Sequence, residues 1–284
     1  DYVLRRCLQN CDSFLLRPRR SSRHPSVPLP ALAYADDIAL LCRDPESAQR
    51  ALNRLCEEGA RVGLLVNAKK TEVLHIGNDT STVITLPGGE PVSQCQDFRY
   101  LGSIISSPTA IISERRAQAW RASHLLRKFF NSSASDDSKK QLFRAAVEPI
   151  LLYGLEGVPM TATREKTIDA HYRALLRYAL GIHFPERISS RDLMSRTGVP
   201  ELSDTLRRRR QRLIGHGLRN YHRGCATPLA LVLLNPPSER LRRGQAQTQC
   251  LLDTLFQDLS IIGLTPNETV LCSSILFRQR VRAN

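Results

Sequence analysis

The sequence predicts an α+β chain, and three observations lead there. Over roughly the first hundred residues, short apolar runs of strand length alternate with Pro- and Gly-containing turns and one well-marked helix. From about Ile112 onward the apolar residues recur at helical spacing instead. The 284 residues carry 42% hydrophobic and 24% charged side chains, ordinary for a globular protein and long enough for one large domain or two smaller ones. The charge balance is unusual: 41 Lys and Arg against 27 Asp and Glu leave a net +14, which points to a polyanionic partner, nucleic acid first. No amphipathic stretch sets large apolar residues against a basic face near a terminus, and the longest apolar run, 145–155, is short and contains Glu148. No membrane partner is expected.

Residues 1–15 place Val3, Leu4, Leu8, Cys11 and Leu15 near helical period and read as a helix already under way; with no initiator Met, the chain reads as a fragment. Asp1, Arg5, Arg6 and Asp12 interrupt this stretch, unlike a secretion signal. The basic, Pro-rich "RPRRSSRHPSVPLP" reads as an exposed loop. A strand-like stretch follows, then a helix with Asp44 at its N-cap, Pro45 at its first position, Glu46 in its first turn, an apolar face of Ala48, Ala51, Leu52, Leu55 and Cys56, and Gly63 as its stop. Val73, Leu74 and Ile76 mark a strand, two short strands flank Pro87-Gly88-Gly89, and another spans 98–105.

The helical part opens with "ISERRAQAWRASHLLRKFF", where Ala117, Trp120, Leu125 and Phe129 form the expected apolar face opposite a basic one. "DDSKKQLFRAAVEPILLYGL", "TREKTIDAHYRALLRYALGI" and the very basic "ELSDTLRRRRQRLIGHGLRN" are the next helices. Residues 223–245 look like a linker, two helical segments close the chain, and Thr265, Pro266 and Glu268 form a capping-box signature for the last. The eight cysteines form no C-x-x-C pair, and His171, His183 and His216 show no ligand spacing, so zinc sites are not indicated.

Chemistry concentrates in "LPALAYADDIALLCRDP", where Asp36 and Asp37 interrupt an apolar run. Buried carboxylates are costly without a partner or a metal. Most Asp-Asp pairs cap a helix or sit in an exposed turn, but a separate N-cap exists here at Asp44. The pair therefore reads as the tip of a strand–turn–strand hairpin, where two carboxylates suit Mg²⁺, which takes one or two of them together with phosphate oxygens. Two such ions would assist an in-line displacement at phosphorus.

Tyr34-Ala35-Asp36-Asp37, followed by an apolar strand, resembles the Y-x-D-D palm motif of reverse transcriptases. Gly63-Leu64 with Asn67, Lys70, Thr71 and Glu72 resembles the G-L-x-x-N-x-x-K-T-E segment that follows it in non-LTR (LINE-type) retrotransposon polymerases, and Phe98-Arg99-Tyr100-Leu101-Gly102 resembles their F-x-Y-L-G primer grip. The resemblance is close over residues 1 to about 110 and looser beyond. It implies part of a polymerase palm, an antiparallel sheet with packed helices, over 1–110; thumb helices over 111–160; and a basic helical C-terminal region over 161–284. It implies an RNA-directed DNA polymerase that uses Mg²⁺, with an RNA template, a DNA primer and deoxynucleoside triphosphates as partners. By the same resemblance Asp36 would ligate the metals with Asp37 beside it and less directly involved. Tyr34 and Ala35 would shape the floor under the primer end, Lys70 would lie near the incoming triphosphate, and Phe98, Arg99, Tyr100, Leu101 and Gly102 would position the primer strand. The family's third catalytic aspartate, its fingers and its Q-G motif find no counterpart here, so these residues are expected to bind nucleic acid without catalysis. Location is expected inside the cell, in the nucleus when acting on target DNA.

On the presumed thumb, Arg115, Arg116, Arg121, Arg127 and Lys128 suggest phosphate contacts, with Trp120 read as core. Arg207, Arg208, Arg209 and Arg210 lie on all sides of one helical turn and cannot share one ligand, yet Arg212, Arg219, Arg240, Arg242 and Arg243 nearby make a phosphate-tracking surface reasonable. The alternative to a polymerase is a non-enzymatic nucleic-acid-binding protein, a degenerate or domesticated element remnant.

Overall fold

The computed structural model describes residues 2–8, 13–17, 26–76, 82–183, 185–222, 227–234, 250–271, 277 and 279–281. The expectations attached to Asp1, Cys11, Asp12, Arg240, Arg242 and Arg243 lie outside them. The chain divides into two compact units, residues 1–107 and 108–284, each taken by itself below.

In the first unit the opening helix is shorter than its periodicity predicts. Helix α1 covers Tyr2–Cys7, and Phe14–Arg17 is strand β1, paired antiparallel with β2 (Val27–Leu29) so that Leu15 faces Pro28. A few apolar positions near helical spacing also fit a strand, and a ladder to a distant partner decides between them. Part of the predicted loop is therefore β2, which tolerates Pro28 because a two-stranded ladder leaves one edge unpaired.

Strands β3 (Ala31–Tyr34) and β4 (Asp37–Leu40) form the expected hairpin. Its base is tied to β1: the Phe14 N–H donates to the Leu41 carbonyl at 2.9 Å, and Ser13 bridges Cys42. Helix α2 (Pro45–Ala60) starts where predicted, with the Ser47 N–H donating to Asp44 Oδ1 at 2.7 Å. Its buried residues include Ala51 and Leu52, and Leu52 packs with Ile84 and Val92. Strand β5 (Glu72–Leu74) pairs in parallel with β6 (Ser93–Cys95), and Ile76, expected in that strand, lies beyond it and is 93% exposed. The single strand expected over 98–105 is a hairpin of β7 (Arg99–Tyr100) and β8 (Ser103–Ile104). The class is thus α+β, but the described strands form four two-stranded ladders, one of them parallel, where one antiparallel sheet was expected.

The second unit is helical: α3 (Pro108–Leu125), α4 (Arg127–Phe130), α5 (Asp136–Ala146), α6 (Glu148–Leu152), α7 (Ala162–Ala179), α8 (Ser190–Thr197), α9 (Leu202–His222), α10 (Pro228–Leu234), α11 (Leu251–Ile261) and α12 (Pro266–Leu271). Ser135, Thr161 and Ser189 cap α5, α7 and α8 by accepting from the backbone N–H three residues on. The predicted capping box of α12 is present, with Thr265 Oγ1 accepting from the Glu268 N–H at 3.3 Å and Glu268 Oε2 from the Thr265 N–H at 2.7 Å. Helix α8 had no sequence expectation, and α10 lies inside the predicted linker, of which residues 223–226 and 235–245 fall outside the described residues.

Helix α7 occupies the middle of this unit, burying Ile168, Tyr172, Leu175, Leu176 and Ala179 against α3, α5 and α9, so helices on both sides of residue 160 share a core. A second cluster joins Ile214 and Leu218 of α9 to Leu233, Leu255, Leu259 and Phe277. The buried row of α3 is Ile111, Ile112, Arg115, Ala119 and Ser123, not the predicted one: Ala117 and Phe129 are exposed, and Leu125 is 86% exposed. Polar residues enter the core here because their groups find partners, as where the Ser123 hydroxyl donates to the Ala119 carbonyl at 2.9 Å.

Candidate functional site

The β3–β4 ladder pairs Ala31 with Leu40, Leu32 with Ala39, Ala33 with Ile38 and Tyr34 with Asp37. The loop between them is therefore the two residues Ala35 and Asp36, and Asp37 opens the returning strand opposite Tyr34. Both carboxylates are exposed, and Tyr34 is 67% exposed. Ala35 adopts φ 53°, a left-handed conformation that costs a residue with a Cβ about 1–2 kcal/mol. Strained backbone of this kind clusters at functional sites and persists only where the surroundings hold it. Here β1 braces the base of the hairpin, and α2 starts from Asp44 immediately after it.

Lys70 is exposed on the 68–70 turn leading into β5. Asn67 organises that turn: its carbonyl accepts from the Lys70 N–H at 3.1 Å, the Thr71 N–H at 3.0 Å and the Thr71 hydroxyl at 2.9 Å, while its Oδ1 accepts from the Lys69 N–H at 3.1 Å. The Asn and Thr of the N-x-x-K-T pattern thus have a local structural task.

Phe98, Arg99, Tyr100, Leu101 and Gly102 form the first arm and the tip of the β7–β8 hairpin. Leu101 at φ 47° and Gly102 at φ 74° supply the positive values that a type I′ turn requires at both central positions, and Gly takes the second at no steric cost. Phe98 and Tyr100 are half-buried and Arg99 is exposed.

Among the described residues, no group of three or more His, Cys, Asp and Glu could hold a metal ion. The oxygen donors present at the hairpin tip are Asp36 and Asp37, a pair that fits Mg²⁺ only with further oxygens from phosphate or water. Also among the described residues, no helix is long and apolar enough to cross a membrane.

In the helical unit the expected phosphate-binding arginines separate. Arg116 and Arg121 are exposed. Arg115 is 5% exposed, with its guanidinium 4.7 Å from the centre of the Tyr153 ring and its Nη1 donating to Gln118 Oε1 at 2.7 Å. Arg116 also lies near His171, whose imidazolium is disfavoured first by burial and then by that charge, so its pKa is lowered. The Arg207, Arg208, Arg209, Arg210 run, read as solvated or phosphate-tracking, is largely an internal clamp. Arg210 is buried against Asp258, Arg207 donates to Asp204 at 2.7 Å, and Arg209 lies 3.4 Å from Glu156. A helical turn bearing four cations buries at least one of them when it packs on both sides, and the acids on neighbouring elements meet that need. Sequence reading also missed the ring cluster of Trp120, His124 and Tyr178; Trp120 and His124 stand one turn apart, but nothing local marks Tyr178 as their partner.

Residues 4–105 match the family model described as reverse transcriptase (RNA-dependent DNA polymerase). Over that stretch, which contains both hairpins and the Asn67 turn, the chain is similar to reverse transcriptases, in line with the order of its motifs. Two relatives of the chain carry transposon names. It is 29% identical over 170 residues to an uncharacterized transposon-derived protein of Caenorhabditis elegans, covering 57% of this chain and 60% of that protein. It is 25% identical over 228 residues to the retrovirus-related Pol polyprotein from type-1 retrotransposable element R2 of Popillia japonica, covering 76% of this chain and 31% of that one. The chain thus spans less than two thirds of the length of each of these relatives. No solved structure matches it.

Proposed function

We propose that this chain is the palm end, thumb and basic C-terminal region of an RNA-directed DNA polymerase of a non-LTR retrotransposon. The observation that carries the reading is the hairpin tip: the two aspartates of the Y-x-D-D motif stand exposed at a braced tip, Asp36 in its two-residue loop and Asp37 at the start of the returning strand, followed in order by the Asn67–Lys70 turn and the Leu101–Gly102 turn. Asp36, with Asp37 beside it, would hold Mg²⁺, which when bound would stabilise the oxygens of the transferring phosphate. Tyr34 and Ala35 would form the floor under the primer end, Lys70 would neutralise triphosphate charge, and the β7–β8 hairpin would position the primer. Arg116 and Arg121 would contact template–primer phosphates, whereas buried Arg115 would hold its helix in place. The partners would be template RNA, primer DNA and deoxynucleoside triphosphates, and the place of action the nucleus.

The test is primer extension on an RNA template by the parent polymerase. Asp36→Ala is expected to reduce Mg²⁺-dependent extension by orders of magnitude; near-normal extension would refute the assignment. These 284 residues alone are expected to bind template–primer without extending it, because the sequence shows no counterpart of the family's third catalytic aspartate. A second reading, a non-enzymatic nucleic-acid-binding protein, is favoured by where the charge lies. Residues 1–107 hold 13 Lys and Arg against 12 Asp and Glu, and residues 108–284 hold 28 against 15, so +13 of the +14 falls on the helical unit. A parent that binds nucleic acid yet incorporates no nucleotide would establish that reading over the first.

A further inference from the structure

We infer that the ring cluster of Trp120, His124 and Tyr178 is a stacking site for single-stranded nucleic acid. The site goes beyond the hairpin chemistry and rests on the proposed function only for the class of partner.

The three rings form a triangle: Trp120 to His124 is 5.8 Å between centroids, Trp120 to Tyr178 is 5.5 Å and His124 to Tyr178 is 5.5 Å, with interplanar angles of 51°, 71° and 63°. The cluster is layered from inside to outside. Phe130 is fully buried and meets Tyr178 edge-on at 6.3 Å; Tyr178 and Trp120 are half-buried; His124 is exposed. Edge-to-face packing holds each ring in one orientation, so a base that stacked there would meet surfaces already set, losing little side-chain freedom.

Charge supports the same partner. Arg121 follows Trp120 in sequence on α3, and Arg127 and Lys128 open α4, the helix whose Phe130 meets Tyr178; all three side chains are exposed and have no partner among the described residues. Acids elsewhere in the unit are engaged internally, as Glu156, Glu201 and Asp258 are with Arg209, Arg173 and Arg210. The unit's excess of +13 is therefore available at positions such as these. Aromatic faces for bases combined with cations for phosphates is the composition by which proteins hold single strands, whose bases are accessible as those of a duplex are not.

The chain contains one tryptophan, so its emission reports this site directly. The experiment titrates the 284-residue chain with a 12-nucleotide oligo(U) or oligo(dT), with a duplex of equal length, and with heparin, following Trp120 emission and, in parallel, the anisotropy of labelled oligonucleotide. Both single strands are expected to quench the emission, duplex and heparin much less. Trp120→Ala is expected to weaken single-strand binding roughly 10-fold or more, with Trp120→Phe retaining most of it. Arg121→Ala and Lys128→Ala are expected to lower the salt dependence of binding while leaving the quench in place. Unchanged helicity by circular dichroism separates lost stacking from lost folding. Oligonucleotide binding without any change in Trp120 emission would overturn the site, as would equal quenching by duplex or heparin. Such a failure leaves extension by the parent polymerase untouched, and a failed Asp36→Ala test leaves the quench untouched, so the two readings fall separately.

Discussion

Arg210 and Asp258 form a buried bidentate ion pair, Nε to Oδ2 at 2.5 Å and Nη2 to Oδ1 at 3.2 Å, with the two side chains 1% and 4% exposed. It joins α9 to α11 across the second core cluster, and the Gln211 side chain adds a bond to the Asp258 carbonyl at 2.8 Å. Taking two charges out of water offsets much of their attraction, so the pair is better understood by what its halves do alone. Asp258→Ala leaves a buried guanidinium uncompensated and is expected to cost about 3–5 kcal/mol. The double variant Arg210→Met, Asp258→Leu is expected to recover most of that loss. Urea unfolding of the three proteins measures both; a single variant that unfolds at the wild-type midpoint would mean the clamp carries no weight.

Gly215 lies within α9, where Ala would ordinarily gain about 1 kcal/mol over Gly. A Cβ at that position would collide with the Phe277 ring, which also carries the Arg219 guanidinium 4.7 Å above its centre. Overpacking outweighs propensity here, and Gly215→Ala is expected to destabilise by about 1–3 kcal/mol. A rise in melting temperature would show that the ring moves aside freely.

Ala35 and Leu101 are both held at positive φ in two-residue hairpin loops. Ala35→Gly and Leu101→Asn are each expected to raise stability by about 1 kcal/mol, since Gly and Asn accept that conformation at lower steric cost. Thermal unfolding of each variant tests this, and a loss of stability in both would mean that side-chain packing at the tips outweighs the backbone cost.

Hydrogen bonds from Ser47 to the exposed Asp44 carboxylate hold its pKa below the usual 3.8. A depressed carboxyl contributes stability that is fully present above its unfolded value and is lost as pH falls through the folded one. Helix α2 should therefore weaken on acidification below about pH 4. Asp44→Asn keeps a good N-cap and removes the titration, so its melting temperature is expected to fall less steeply between pH 6 and pH 3. Parallel curves for the two proteins would place the acid sensitivity elsewhere.

Legibility followed the range of the interaction. The Asp44 cap, the Thr265 capping box and the hairpin around Asp36 are formed within a few residues, and each was readable because the deciding hydrogen bonds and backbone angles are local. Strand β1 was misread because the ladder that holds Leu15 comes from Pro28, across a Pro-rich stretch with no strand signal of its own. The face of α3 was misread because Arg115 and Ser123, polar by type, found partners inside, while Leu125, apolar by type, fell on the exposed side.

By itself the sequence determined the α+β class, the order of the three polymerase-like motifs, the hairpin tip bearing the aspartates, and the excess of positive charge. Tertiary structure alone decided which of those charges face water. Arg210 meets an acid 48 positions away, Arg115 lies against Tyr153, and Arg121 and Lys128 meet neither. A cation's burial depends on what packs against its helix, and no property of four consecutive arginines carries that information.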